Sequence, residues 1–192
     1  MKLRALLLFS LLLFSAASVR SGGRKEAGAT LPRYTANGQL LFPEGYREWI
    51  YLSSGLGMSY SKAGGDQFTN VFVTPAAYRE FLSSGRWPEK TMFVVEERES
   101  ASEGSINKAG HYQAALAGLG VEVKDSARFP ETWAYFTFRA EATTAGPVAK
   151  AACWQCHEDH AAVEHSFVQF YPTLLPIARK FGTLKDATAA RP

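Results

Sequence analysis

Thr-Trp-Ala-Tyr-Phe-Thr-Phe-Arg, at residues 132–139, is the stretch that indicates the fold most clearly. Its aromatic density is typical of a β-strand. Side chains alternate along a strand, so positions 133, 135 and 137 share one face and positions 134, 136 and 138 share the other. Both sets are largely apolar, and we therefore predict a strand that is buried on both faces.

Similar patterns predict other strands on the N-terminal side of this one. Residues 67–74 and 91–98 are rich in valine and phenylalanine, and 121–124 is a shorter candidate. Residues 111–119 fit a strand or a helix equally well. No regular helical crossovers separate these segments, which favours antiparallel pairing.

Helices are predicted at several other places. Thr74 as N-cap and Pro75 at the first helical position begin one that ends near Gly85. Apolar residues at helical spacing predict two more, at 46–52 and 173–181. The predicted fold class is therefore α+β, an antiparallel β-sheet with helices packed on it.

The N-terminal end is predicted to be an export signal. Residues 1–18 combine Lys2 and Arg4 with an apolar run at 5–14 and the small residues Ser-Ala-Ala-Ser at 15–18. The alternative is a membrane anchor, but the run has about half of the roughly twenty residues that a spanning helix needs. We therefore expect an exported, periplasmic protein.

The remaining chain divides into three predicted parts. Residues 19–37 are expected to form a flexible leader, 38–182 a single folded domain, and 183–192 a loose tail. Outside the predicted signal, 19 basic side chains (21 minus 2) face 18 acidic ones, a balance of +1. Since this balance comes without a basic stripe, we expect no nucleic-acid partner.

The chemistry is carried by Cys153-Trp154-Gln155-Cys156-His157. Two thiols three positions apart on a helical turn can reach both vinyl groups of one porphyrin, and the next residue, His157, can ligate its iron. This spacing is the attachment signature of c-type haem, and histidine is a common axial ligand. The sequence predicts one covalently attached haem c near the C-terminus, bound by Cys153, Cys156 and His157.

Three other uses of the cysteines fit the sequence less well. A thioredoxin-like dithiol is expected near the start of a βαβ unit, whereas this motif follows a run of strands. A disulfide between Cys153 and Cys156 would close too small a loop to stabilise much. A zinc site needs four ligands, and these are the only two cysteines in the chain.

The second axial position decides between an electron carrier and a ligand binder. His160 lies one turn beyond His157, so it cannot reach the opposite face of the same haem, and His165 is only slightly better placed. We therefore predict an iron position that is open to a small molecule. The side chains considered as a sixth ligand are Met58, Met92, His111, His160 and His165.

Five motifs occur in order along the chain: Tyr46-Arg47-Glu48-Trp49; Phe72-Val73-Thr74-Pro75 with Tyr78; Gly85-Arg86-Trp87-Pro88; Trp133-Ala134-Tyr135-Phe136-Thr137-Phe138; and the cysteine block with residues 167–172. Together they span about residues 38–175 and resemble the cytochrome P-460 family. The resemblance implies a periplasmic α+β domain with one haem c, a homodimeric state and an unidentified redox partner.

The resemblance also implies one of two activities. The P-460 enzymes oxidise hydroxylamine and carry a lysine cross-linked to the haem, whereas the similar beta-type cytochromes c-prime lack this bond and bind nitric oxide or carbon monoxide.

The chain departs from the enzyme pattern at Val95, which aligns with the cross-linking lysine of the family. Lys90 is the nearest substitute, but an odd offset along a strand places it on the opposite face. The same alternation puts Phe93 and Glu97 beside Val95, so these three residues are the candidates for the distal side.

The enzymes also use a distal carboxylate, for which Glu122, Glu131 and Glu141 are the candidates here. Three functions stay open: a binder of nitric oxide or a similar small gaseous or nitrogenous ligand, an oxidoreductase acting on hydroxylamine or nitric oxide, and a simple electron carrier.

Overall fold

The computed structural model describes residues 31–58, 65–139 and 141–185. The predicted signal at 1–18, most of the predicted leader and residues 186–192 of the predicted tail lie outside this part. The described chain forms three α-helices: α1 (Pro75–Ser84), α2 (Lys150–His160) and α3 (Leu175–Phe181). Its strands are β1 (Leu40–Leu41), β2 (Ile50–Leu56), β3 (Gln67–Val73), β4 (Met92–Ala101), β5 (Tyr112–Lys124), β6 (Trp133–Phe138) and β7 (Thr144–Ala145).

Five of these strands build the central sheet, in the order β2-β3-β4-β5-β6, and every neighbouring pair is antiparallel. Spatial order follows chain order, so each strand pairs with the next one along the chain. The short strands β1 and β7 form a separate antiparallel pair. The predicted α+β class, an antiparallel sheet with helices, is confirmed.

The two faces of the sheet are covered differently. On the helix-side face, which carries Phe93 and Tyr135, the apolar core includes side chains of all three helices. On the opposite face, which carries Val94 and Phe136, the core is closed by N-terminal residues such as Leu40 and by Ala145. Strand β6 is therefore buried on both faces, as its aromatic pattern predicts, except that Thr137 is exposed.

Helix α1 begins and ends where the sequence predicts. Pro75 lies in its first turn, and Gly85 ends it in the left-handed conformation with φ 69°. A side chain at Gly85 would also collide with α3, because an added Cβ would lie 2.7 Å from the Cβ of Phe181. Thr74 is the N-cap, as predicted, although its side chain makes no capping hydrogen bond.

The helix predicted at 46–52 is wrong. Residues Tyr46–Glu48 form a single 3₁₀ turn, and the chain then enters strand β2 at Ile50. The apolar spacing arises because Tyr46 and Trp49 pack into the core on the opposite face, whereas Leu52 packs on the helix side. Pairing with β3 thus overrides the local helical pattern.

The segments predicted at 111–119 and 121–124 are one continuous strand, β5. Strand β4 continues to Ala101, past the end of the segment predicted at 91–98. Both differences reflect the long β4–β5 hairpin, in which each strand supplies the hydrogen-bonding partner that the other needs.

Packing extends into both predicted flexible ends. Tyr34 forms an isolated bridge with Leu40, and its ring lies 6.2 Å from that of Phe129. At the other end, the backbone N–H of Lys185 donates to Ala162 at 2.8 Å. The packed domain therefore begins before residue 38 and continues past residue 182. Within the described residues, no helix has the length and apolar character needed to cross a membrane.

Candidate functional site

Helix α2 holds the three residues of the cysteine motif. Cys153 and His157 are four residues apart, so they share one side of the helix, and Cys153 packs against the core of the helix-side face. Both thiols are free and half-buried. Burial raises the pKa of the Cys153 thiol. The indole N–H of Trp154 donates to the carbonyl of Glu131 at 3.3 Å and helps to hold the helix against the start of β6.

The imidazole of His157 is held in one orientation. Its Nδ1 lies 2.7 Å from the backbone carbonyl of His165, which can only accept, so Nδ1 carries the proton. The ring is packed between Tyr135 and Phe167, with centroid distances of 4.5 and 4.6 Å. Nε2 therefore presents its lone pair to the sheet, in the tautomer that a metal-binding histidine needs.

The sheet residue that faces Nε2 is Glu122. Its Oε1 lies 3.6 Å from Nε2 of His157, and its side chain is only 12% exposed. Burial raises the pKa of Glu122, and the nearby imidazole offsets part of this rise. Among the described residues, no group donates a hydrogen bond to this carboxylate. Glu122 is therefore a largely buried acid whose carboxylate has no hydrogen-bond donor among the described residues.

The register of the sheet places the predicted distal residues beside Glu122. Phe93 is directly opposite Glu122 on the neighbouring strand, and it is 1% exposed. Val95 belongs to the next row on the same face, opposite Gly120, and is partly buried. Glu97, two residues further, is exposed at the solvent end of this face. Phe93 thus lies in the core beneath the helices, Val95 is partly buried on the same face of the sheet, and Glu97 lies at the margin of that face.

The three glutamates proposed as distal carboxylates lie in different parts of the structure. Only Glu122 faces His157. Glu131 lies at the start of β6, where its carboxylate is 3.6 Å from Nζ of Lys150. Glu141 is exposed, in a left-handed turn with φ 64°.

The side chains considered as a sixth iron ligand lie elsewhere. Met58 and His160 are exposed, and Met92 is buried in the core of the opposite face. The imidazole of His111 is near the hydroxyl of Ser100 at 2.9 Å, in an exposed part of the β4–β5 hairpin. None of these four shares the helix-side surface with Nε2 of His157.

His165 contributes to the site through its backbone. Its carbonyl orients His157, while its own Nε2 lies 3.0 Å from the carboxylate of Glu158. Burial lowers the pKa of the His165 imidazole to about 4, against the opposing effect of Glu158. The sequence alone gives no signal for this role, because any residue can supply a backbone carbonyl.

Lys90 is directed away from the site. It precedes β4 in a left-handed conformation with φ 66°, and its amine is paired with Asp125 after the end of β5. The amine therefore already has an acidic partner outside the helix-side face.

One comparison with known proteins identifies the family. The family model described as Cytochrome P460 matches residues 43–168, more than half of the 192-residue chain. The chain belongs to the cytochrome P-460 family. The match covers the whole sheet from β2 to β6 and the cysteine motif on α2. No curated protein matches the chain.

Membership of the P-460 family implies a haem cofactor, and the residues on α2 and the sheet fit such a group. Nδ1 of His157 is engaged by the carbonyl of His165, which leaves Nε2, directed at the sheet, as the nitrogen that can ligate iron. The buried hydroxyl of Tyr135, next to this imidazole, has no hydrogen-bonding partner among the described residues. Orphaned polar atoms of this kind mark a place where a further group belongs. A P-460 cytochrome with these residues would hold the iron through His157.

Proposed function

We propose that this P-460 family member is an exported mono-haem cytochrome that binds nitric oxide or a similar small ligand at an open iron position. The observation that carries the proposal is the direction of Nε2 of His157, which faces a largely apolar sheet surface. Phe93 and Val95 belong to that face of the sheet, whereas Met58, His111 and His160 are exposed and Met92 packs in the core of the opposite face. A small neutral ligand enters such a surface at little desolvation cost.

Covalent attachment through Cys153 and Cys156 is part of the proposal. Both thiols are free. Cys153 lies one helical turn before His157 and Cys156 directly precedes it, so both thiols can approach the edge of a haem whose iron His157 ligates. The C-x-x-C-H spacing is the known attachment signature. Attachment of this type takes place outside the cytoplasm, which agrees with the signal predicted at residues 1–18.

Oxidation of hydroxylamine is the second candidate, and Glu122 is the observation that favours it. A buried carboxylate with a raised pKa is suited to accept a proton from a bound substrate. Val95 argues against this function, because it lies on the same face where the family's enzymes have the cross-linking lysine. The bound haem would supply the electron chemistry, and the role of Glu122 would be to take up the proton.

The optical spectrum of the purified protein separates these functions. We expect a high-spin spectrum with an unshifted Soret band that changes when nitric oxide is added. A Soret band of the reduced form shifted far to the red would mean a haem–lysine cross-link and would favour the oxidoreductase. A low-spin spectrum that is indifferent to nitric oxide and carbon monoxide would contradict both functions and indicate an electron carrier.

Two further properties complete the proposal. Periplasmic fractionation should recover the mature protein without residues 1–18, with its haem retained on a denaturing gel. Homodimerisation is expected from the family and is checked by light scattering. An electron partner would be required if hydroxylamine were the substrate, since the oxidation releases electrons.

A further inference from the structure

The backbone carbonyl that orients His157 belongs to a tight turn at residues 163–166. Val163 and Ser166 close this turn with backbone hydrogen bonds in both directions, at 2.9 and 3.3 Å, and both residues are buried. His165 lies inside the turn, and its carbonyl is 2.7 Å from Nδ1 of His157. The position of the carbonyl therefore depends on how the turn is held against the rest of the domain.

Glu164, the residue before His165, has an unfavourable backbone conformation for a residue with a side chain. Its φ of 51° is in the left-handed region, which glycine adopts without this cost. A side chain that is kept at such a position points to a role for that side chain. The carboxylate of Glu164 accepts a hydrogen bond from Nζ of Lys124 at 2.7 Å. The two side chains are only 20% and 14% exposed, so solvent screens this ion pair much less than a surface pair.

Lys124 connects the turn to the sheet. It is the last residue of β5, where its backbone N–H donates to the carbonyl of Thr91 at 3.0 Å. Its amine also donates to the carbonyl of Trp87 at 2.7 Å. The indole N–H of Trp87 in turn donates to Oγ of Ser166 at 2.6 Å. The turn is therefore held on both sides of His165, and both connections lead to Lys124.

We propose that the Lys124–Glu164 ion pair positions the axial histidine of the haem iron by fixing the carbonyl to which His157 donates. The inference rests on the proposed haem site and deepens it. A hydrogen bond from the second ring nitrogen sets the orientation of a metal-binding histidine and raises its basicity as a ligand. Lys124 and Glu164 act only through the carbonyl of His165, so both are positioning residues.

The iron–histidine stretch in the resonance Raman spectrum of the reduced protein tests the inference. K124M removes the amine, which frees the turn and weakens the hydrogen bond at Nδ1, so the band should move to lower frequency. E164Q should move it in the same direction by less, because the glutamine carbonyl can still accept from the amine. Loss of charge alone would act oppositely in the two variants. The double variant should move the band no further than K124M, since both substitutions delete one interaction.

K90M is the matched control. Lys90 forms an ion pair with the buried Asp125 at the same end of the sheet, and this pair includes no residue of the turn. K90M should leave the iron–histidine band where it is. A band that is unchanged in both K124M and E164Q, or that moves equally in K90M, would overturn the inference while the proposed haem site stands. If K124M gave no mature protein, an unchanged band in E164Q would be enough to overturn it.

Failure of the proposed function gives a different result. A purified protein without attached haem would overturn both the function and the inference. Attached haem with six-coordinate, low-spin iron would overturn only the open iron position. The g-values of the ferric protein in electron paramagnetic resonance, which also report the orientation and basicity of the axial imidazole, would then replace the Raman band in the comparison of K124M, E164Q and K90M.

Discussion

The two faces of the central sheet each bury a glutamate, in contrasting surroundings. Glu96, on the opposite face, accepts hydrogen bonds from the hydroxyl of Tyr46 at 2.7 Å, from Nε of Arg98 at 2.9 Å and from the amide of Asn70 at 3.1 Å. Arg47 donates to it as well, through Nε at 3.0 Å. Glu122, on the helix-side face, has within the described part of the chain only the imidazole of His157 nearby, at 3.6 Å.

The difference is also visible in the acidity of the two groups. Burial alone would raise the pKa of Glu96, but the hydrogen bonds from Arg98, Tyr46, Asn70 and Arg47 outweigh it and lower the pKa to about 2. Burial raises the pKa of Glu122, and nothing outweighs it there. A carboxylate with a full set of donors contributes to the fold, whereas one with few donors remains available to a cofactor or a ligand.

The largest effect is expected on the helix-side face, from His157→Ala. The variant should yield haem without its normal proximal ligand, or no mature protein, because Nε2 of His157 is the nitrogen aimed at the sheet. His160→Ala on the same helix is the matched control, since its side chain is exposed. Optical and resonance Raman spectra provide the measurement. Normal ligation in His157→Ala would show that the site has been assigned to the wrong histidine.

Glu96→Leu should cause the largest loss of stability. Removing the carboxylate leaves Arg98 and Tyr46 without their acceptor, and breaking a buried charged network by deleting one partner costs about 3 kcal/mol or more. Urea unfolding followed by circular dichroism gives the change in the free energy of unfolding. A loss below about 1 kcal/mol would mean that the network adds little, and the contrast between the two faces would disappear.

Acid should reproduce part of that loss without a mutation. The pKa of Glu96 is lowered from 4.5 to about 2 on folding, so the native state holds this proton less tightly than the unfolded state. Its stabilising contribution is therefore present above about pH 4.5 and is lost as the pH falls towards 2. The shift corresponds to about 3 kcal/mol, and the side chain is only 4% exposed, so little of it is lost to screening by solvent.

Glu96→Gln is the control for this pH dependence. Glutamine keeps the size of the side chain and lacks the titrating group, so the variant should be less stable at pH 7 and should lose less stability between pH 4.5 and pH 2. Parallel curves for the two proteins would assign the acid sensitivity to other carboxylates.

Sequence patterns predicted the features of this fold that depend on near neighbours. The strand at 132–139 follows from the alternation of its side chains between two buried faces. The end of α1 at Gly85 follows from the ability of glycine to adopt the left-handed conformation. The cysteine motif is equally local, because its meaning lies in the spacing of three residues on one helix.

Long-range pairing determined what the sequence could not predict. Residues 46–52 have apolar side chains at helical spacing, but pairing of β2 with β3 overrides this local preference. The paired residues are distant in the sequence, so no local pattern predicts the pairing. The choice of Glu122 among three glutamates depends on the register of β5 with both of its neighbours and on where α2 packs. One signal was present, however: Val121 and Val123 fill the opposite face, so alternation leaves Glu122 on the helix side.

The smallest effect on stability is expected from Glu122→Leu, and it completes the comparison with Glu96→Leu. Leucine has a similar volume and no charge to desolvate, so its burial should compensate for the one weak contact that the carboxylate makes with His157. The free energy of unfolding, measured by urea unfolding, should change by less than about 1 kcal/mol. A loss of stability as large as that of Glu96→Leu would show that the Glu122 carboxylate stabilises the fold. The two glutamates would then differ in their hydrogen-bonding partners but not in their contribution to stability.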